Sequence, residues 1–351
     1  MSRFYQIHLL VSYPPSNLNR DDTGRPKTAI VGDANRLRIS SQSLKRAWRT
    51  SEAFEEALSG HIGVRTKEMG VEIYQKLIEG KISEKNARDW AKSIASQFGK
   101  LKSDKKTEGN EDLHVEQLVH LGTEERAAIT CLIEKLVVAN IAPTEEDLKL
   151  LRKPRQAVDI AMFGRMLASS PAYNIEAAVQ VAHAITIHKV AVEDDYFTAV
   201  DDLNKGDVDR GSAHIGEAGF GAGVFYLYVC INRELLCDNL GGDVGLTSKA
   251  LEALMHAITK VSPTGKQNSF ASRAYSAYVL VEKGDQQPRS LAQAFLKPVT
   301  GTEMLDRAVK ELNKRIDNFD RIYGPCADKR CSFNVETGEG SLKDLVTFIK
   351  D

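Results

Sequence analysis

The segment densest in chemically useful side chains is Arg36-Leu-Arg-Ile-Ser-Ser-Gln-Ser-Leu-Lys-Arg-Ala-Trp-Arg49. Its spacing predicts a helix capped by Ser40 or Ser41 and running into the fifties. On that helix Gln42, Lys45, Arg46 and Arg49 fall at i, i+3, i+4 and i+7, while Leu44, Ala47 and Trp48 repeat on the opposite face. Cations gathered near a helix N-terminus, whose own N–H groups attract anions, suit several backbone phosphates in a row. They do not suit base reading, which needs donors and acceptors placed at base edges. A solvated basic face has the same pattern, so the helix alone leaves both readings open.

Three other segments could join such chemistry. Gly164-Arg165-Met166 offers a phosphate clamp beside a flexible apolar wedge, or a turn glycine followed by a buried Met. Residues 193–223 carry Tyr196-Phe197-Thr198, Gly211-Ser-Ala-His214 and Gly219-Phe-Gly-Ala-Gly223, the composition of a projecting hairpin. Its aromatics could stack on bases of a single strand or pin the loop to its own body. Pro263-Thr-Gly-Lys266-Gln267-Asn268 is a candidate phosphate-binding turn. It is no Walker A loop, because the leading glycine and the trailing Ser/Thr would fall at Lys260 and Gln267.

Catalytic and metal signals are weak. The pairs His183/His188, His114/His120 and Cys326/Cys331 have no second pair at zinc-site spacing, and no Gly-x-Ser-x-Gly elbow occurs. Asp21, Asp22 and Asp33 are the loop carboxylates near the basic helix. The expectation is therefore no catalytic residue, no metal and no cofactor.

These side chains must be positioned by an ordinary globular chain. Its 351 residues are 42% hydrophobic and 27% charged, which excludes a mainly disordered chain or a small disulfide scaffold. Five Cys at irregular spacing read as reduced thiols of a cytoplasmic protein. No apolar run is long enough to span a bilayer, and Phe4–Tyr13 is expected to be neither signal nor anchor. Net charge is −1, yet residues 1–50 hold nine Lys/Arg against three Asp, a local +6. Any nucleic-acid site is then a local patch.

Alternation predicts strands at 4–12, 158–162, 224–232 and 274–282. Helices are predicted after Ser83, after Thr123, at Thr144–Pro154, along Ile175–Ile185, after Thr247, and at about 303–320 and 341–350. A polar stretch, Lys100–Asp112, reads as a loop. With the inserts set aside the order is strand, helix, strand, strand, helix, strand, an α+β ferredoxin-like arrangement shared with RNA-recognition modules.

Taken together, Leu18-Asn-Arg-Asp-Asp22, Arg38-Ile-Ser-Ser-Gln-Ser-Leu-Lys-Arg-Ala47, Gly164-Arg165-Met166, Ala182-His-Ala-Ile-Thr186, Phe197-Thr-Ala-Val-Asp-Asp-Leu203 and Gly211-Ser-Ala-His214 resemble the CasC-type backbone subunit of the type I-E CRISPR Cascade surveillance complex. The resemblance implies a non-catalytic antiviral-defence protein with an RRM-like palm, a helical fingers insertion and a β-hairpin thumb. The palm would take residues 1–58, 151–192 and 224–351 (with the C-terminal helices), the fingers 59–150 and the thumb 193–223. Copies would assemble head to tail along the spacer of a guide RNA (crRNA), with other Cascade subunits. They would kink the RNA at regular intervals and present its bases to a target DNA strand.

By the same resemblance Arg20, Ser40, Gln42, Lys45, Arg46 and Arg49 would contact guide phosphates. Gly164, Arg165 and Met166 would lie beside a displaced base, Phe197 and Thr198 would form the wedge, and Lys266, Gln267 and Asn268 would hold backbone. Lys27 would face target DNA. The rival reading is a backbone-type ribonuclease cutting target RNA through Asp33; a general RNA-binding scaffold is a third.

Overall fold

The computed structural model describes residues 2–103, 109–199 and 214–351. The chain forms two compact units, one of Met1–Phe54, Gln180–Arg233 and Leu251–Asp351, the other of Glu55–Val179 and Glu234–Ala250. No helix among the described residues is long and apolar enough to cross a membrane.

The first unit is built on an antiparallel sheet. From one edge its strands are Lys329–Asn334, Ser276–Gly284, Phe4–Ser16, His214–Asn232, Ala184–Thr186, Ala34–Ile39 and Thr28–Val31. Phe4–Ser16 is central because its Tyr5, Ile7, Leu9 and Val11 put one unbroken apolar row into the core, opposite Ile231, Val229, Leu227 and Phe225. The alternate residues Gln6 and His8 are buried as well, since a second layer covers that face. There Leu10, Tyr226, Tyr278 and Leu280 pack with Leu291, Phe295 and the Ala308, Leu312 and Ile316 stripe of helix Met304–Tyr323.

A buried polar network lies within that covered face. The Glu282 carboxylate accepts from His8 Nε2 at 3.1 Å, from Arg289 Nη2 at 3.0 Å and from Arg330 Nε at 2.7 Å. His8 Nδ1 lies 2.9 Å from the Tyr226 hydroxyl, whose oxygen accepts the Leu291 N–H at 3.0 Å. Since Glu282 can only accept, the proton sits on Nε2 and Nδ1 accepts from Tyr226. Burial, which outweighs the hydrogen bond to Glu282, pushes the His8 pKa below the usual imidazole value. Burial alone would raise the Glu282 pKa, but the bonds from His8 and Arg289 hold it far below the usual carboxylate range.

A pH dependence follows from these directions. Below roughly pH 6.5 the unfolded chain takes up a proton at His8 that the folded chain refuses, so stability falls with pH. Below about pH 4.5 Glu282 adds a second loss, as unfolded chains protonate first. Urea midpoints measured from pH 7.5 to 5.5 are expected to fall, and to fall less steeply in His8→Gln.

The second unit is largely helical. Met69–Glu79, Glu84–Ala95 and Thr123–Ala139 enclose Ile73, Leu77, Trp90, Ile94, Ile133 and Leu136. Ser83 caps its helix as its position predicts, accepting the Asn86 N–H. A two-stranded pair, Val64–Thr66 with Val119–Leu121, completes the unit.

Four local expectations are corrected. Val158–Phe163 is a helix, not a strand: Asp159 and Ala161, between the apolar positions, are as buried as their neighbours. Asp159 accepts the Gly63 N–H and an N–H···O bond from His120 Nε2, each at 2.8 Å. The stretch expected as a helix over Ile175–Ile185 instead supplies strands Val179–Val181 and Ala184–Thr186, in keeping with its β-branched residues. At Thr144–Asp147 the reciprocal cap closes a turn with no helix after it. Helix Val244–Lys260 begins before Thr247, with Asp243 Oδ1 accepting the Leu246 N–H.

Candidate nucleic-acid interface

In the first unit a polar groove of about 470 Å³ opens between the loop Leu18–Gly24, helix Ser41–Arg49 and the Thr264-Gly265 turn. The helix sits where its sequence requires. Ser40 Oγ accepts the Ser43 N–H, Leu44 and Trp48 anchor the buried side, and no acid occupies the first turn. The helix thus turns Ser43, Arg46, Ala47 and Thr50 toward the groove, and Arg20 enters from the loop.

Four hydrogen bonds hold the loop in register. Asn17 Nδ2 donates to the Gly24 and Gly219 carbonyls at 2.9 Å each. Asn19 Oδ1 accepts the Ser40 N–H at 2.8 Å, and the Asn19 carbonyl accepts the Lys27 N–H at 2.8 Å. Gly265 closes the third side, where a Cβ would lie 2.4 Å from the Leu18 oxygen and 2.5 Å from that of Asn17. Asp21, though it lines the groove, is engaged locally: hydrogen bonds, first from the Thr23 hydroxyl, hold its carboxyl below the usual value.

Of the expected helix stripe Arg46 lines the groove, whereas Gln42, Lys45 and Arg49 are not among its lining residues. Arg20, Gln42, Arg46 and Asn268 are exposed, whereas Lys27, Lys45, Arg49, Lys266 and Gln267 are half-buried. Partial burial pushes the Lys45 ammonium pKa down. Ser40 is buried, with its oxygen engaged as the cap. Lys266 takes a left-handed backbone (φ 50°) and starts the short helix Gln267–Phe270. Two residues outside the expected contact set lie together. Arg38 lies 2.8 Å from His183 Nδ1, and His183 has its pKa lowered by burial and by the Arg38 and Lys27 charges. Strand alternation gives no signal for Arg38, because it puts Arg38 on the same face as Arg36, which is buried and donates to the Thr186 and Phe295 carbonyls.

The hairpin of this unit pairs Glu193–Ala199 with the start of the long strand, and Phe197 stands opposite Gly216. A Cβ on Gly216 would fall 2.2 Å from the Phe197 ring, so the ring lies over bare backbone and still keeps 42% of its surface open. Tyr196, its strand neighbour, is 66% exposed, and Thr198 is exposed too. Arg25 and Asp194 join the hairpin to the first loop at 2.8 Å. Val200–Leu203 and Gly211–Ala213 lie outside the described residues, as does part of the Lys100–Asp112 stretch.

Over residues 5–347 the chain matches the family model described as CT1975-like protein. The chain belongs to this family. None of the curated proteins matches it. Among solved structures it is similar to a chain of a "CRISPR RNA-guided surveillance complex, pre-nicking", at 31% identity and a TM-score of 0.87, with 99% of each chain covered. It is also similar to a chain of a "CRISPR RNA-guided surveillance complex", at 25% identity and a TM-score of 0.74, covering 98% of this chain and 99% of that one.

The second unit of this CT1975-like chain revises one expected contact. The Arg165 guanidinium is buried, paired with Glu125 at 2.6 Å, and donates to the Arg152 and Tyr173 carbonyls at 2.7 and 3.0 Å. It serves the fold of that unit and is not presented as a phosphate clamp. Its neighbour Met166, two residues after the positive-φ Gly164 (φ 80°), is 80% exposed and lines a cavity of about 220 Å³ with Lys100 and Leu118.

Asp33 sits at the tip of a two-residue hairpin turn, where Gly32 (φ 56°) and Asp33 (φ 57°) both take the left-handed backbone that such a turn demands. Among the described residues no group of three or more His, Cys, Asp or Glu is placed to hold a metal ion.

Proposed function

We propose that this CT1975-like chain is a guide-RNA-binding backbone subunit of a type I-E CRISPR Cascade complex and that it acts without catalysis. The observation that carries this reading is the groove, in which Arg20 and Arg46 converge with helix and turn around a polar floor. Such a surface grips phosphates without reading bases, as a protein that accepts any spacer must. Similarity over nearly the full chain to subunits of RNA-guided complexes supports the same reading.

The sheet agrees with an RRM-like palm. Strands Ser276–Gly284, Phe4–Ser16, His214–Asn232 and Ala184–Thr186 lie side by side as fourth, first, third and second of a split βαβ arrangement. An RRM stacks bases on the open face of its sheet. Here helix Met304–Tyr323 and the Glu282 network fill that face, so the groove takes over the work. In this reading the hairpin Glu193–Ala199 with His214–Asn232 is the thumb and the helical unit the fingers. Copies line up head to tail along crRNA, Lys27 faces the target DNA strand, and the complex acts in the cytoplasm. Gln42, Lys45, Arg49, Lys266, Gln267 and Asn268 extend the phosphate track. With about four phosphates per subunit, the salt slope would be near 3 on a log–log plot.

The exposed Phe197 ring is the base wedge in this account. Phe197→Ala should leave the fold intact and weaken binding by about 1–3 kcal/mol per stacked base. Filter binding to assembled RNA measures it; wild-type affinity would remove the wedge. The function itself is tested by the RNA that purifies with the chain and its companion subunits. Uniform lengths with a repeated 5′ tag support a guide-RNA backbone, whereas heterogeneous fragments mark a general scaffold.

A further inference from the structure

Asn19 lines the groove between Arg20 and the helix start, and only half of its side chain is used by the protein. Its Oδ1 accepts the Ser40 N–H at 2.8 Å. A backbone N–H can only donate, so the oxygen must be the atom facing Ser40, and the amide cannot be turned the other way. The Nδ2 group is thereby fixed at the other side of the amide plane. Among the described residues it has no hydrogen-bond partner, and it is not one of the buried unpartnered atoms, so it is open to solvent.

The backbone around it is equally fixed. The Asn19 carbonyl holds the Lys27 N–H, Asn17 ties the loop to Gly24 and Gly219, and Gly265 presses against the Asn17 and Leu18 oxygens. A two-donor amide held rigid beside Arg20 and Arg46 loses little freedom on meeting an anion.

We infer that the Asn19 side-chain amide is a further phosphate contact of the groove: a neutral donor to a non-bridging oxygen of the guide-RNA backbone, flanked by the Arg20 and Arg46 charges. The inference rests on the proposed RNA-binding role of the groove. It separates two duties within one side chain, since Oδ1 caps the helix start and Nδ2 binds.

A neutral donor and a cation leave different signatures. Losing a cation that neutralises a phosphate lowers the single-strand salt slope by about 0.7, whereas losing a neutral hydrogen bond lowers affinity at every salt concentration and leaves the slope unchanged. The test uses the full chain with its companion subunits and a single-stranded guide RNA, titrated at several salt concentrations. Asn19→Ala should bind roughly three- to tenfold more weakly with the wild-type slope. Asn19→Asp keeps the acceptor for the Ser40 N–H but replaces the donor with an anionic oxygen, so it should fold normally and bind more weakly still.

Wild-type affinity in Asn19→Asp would show that only the cap matters and overturn the contact. A reduced slope in Asn19→Ala would overturn it too, because Asn19 would then act by placing the arginines. The parallel variants Arg20→Ala and Arg46→Ala distinguish the two levels. If they bind normally, the groove reading itself fails; if they bind weakly while both Asn19 variants bind normally, only the Asn19 contact fails.

Discussion

Reversing two charges of the groove, Arg20→Glu with Arg46→Glu, is expected to reduce affinity for guide RNA by at least about two orders of magnitude and to cut the salt slope by about 1.4. Both residues are exposed, so their replacement costs the fold little. Each change removes a cation and places a carboxylate against the RNA backbone, where Asp21 and Asp22 already contribute negative charge. The loss should appear as failure to assemble on guide RNA while circular dichroism and melting stay as in the unaltered chain. Arg20 and Arg46 are a cleaner choice than Lys45, which is partly buried with its ammonium pKa lowered by desolvation. Normal assembly of the double variant would exclude the groove as the RNA site.

The second large effect concerns stability and leaves RNA contacts alone. Glu282→Ala removes the one carboxylate that His8, Arg289 and Arg330 share. Arg289 then loses its carboxylate partner at a site where the Glu282 side chain is fully buried, and Arg330 loses one of two, retaining Asp320 at 2.8 Å. Breaking a buried ion pair by deleting one partner costs roughly 3–5 kcal/mol. Replacing the whole cluster with apolar residues would cost far less, because the loss reflects stranded charge more than the pair's net contribution. Chemical denaturation of Glu282→Ala should show this loss. A change under about 1 kcal/mol would mean that water solvates the arginines when the carboxylate is gone.

The contrast between these variants also shows what a sequence makes legible. Tyr5, Ile7, Leu9 and Val11 announce a strand because every second residue meets the same core. Gln6 and His8 read as its wet side, yet they are buried, since their partners Glu282 and Arg289 come from residues some 280 positions away. Periodicity carries no trace of such a match. Val158, Ile160 and Met162 alternate like a strand for the reverse reason: Asp159 between them is buried against His120 and Gly63. The edge strand Lys329–Asn334 went unseen because it is half exposed and polar, as edges generally are.

For the site, the basic stripe was readable because helical spacing turns residue type directly into a face. What spacing could not tell was burial. Arg165 and Met166 are adjacent, but one faces Glu125 inside its unit while the other is exposed. Asn19 was invisible for the same reason: its value lies in the hydrogen bond that orients it, made with a residue 21 positions away.

The central claim is that this chain holds RNA and does not cut. Its most direct test is the chain assembled with guide RNA and companion subunits, offered labelled complementary DNA or RNA with and without Mg²⁺. The account predicts that the complementary strand is bound and remains intact under both conditions. Cleavage at regular intervals that needs Mg²⁺ and disappears in Asp33→Ala would contradict it and make the hairpin turn at Gly32-Asp33 an active site.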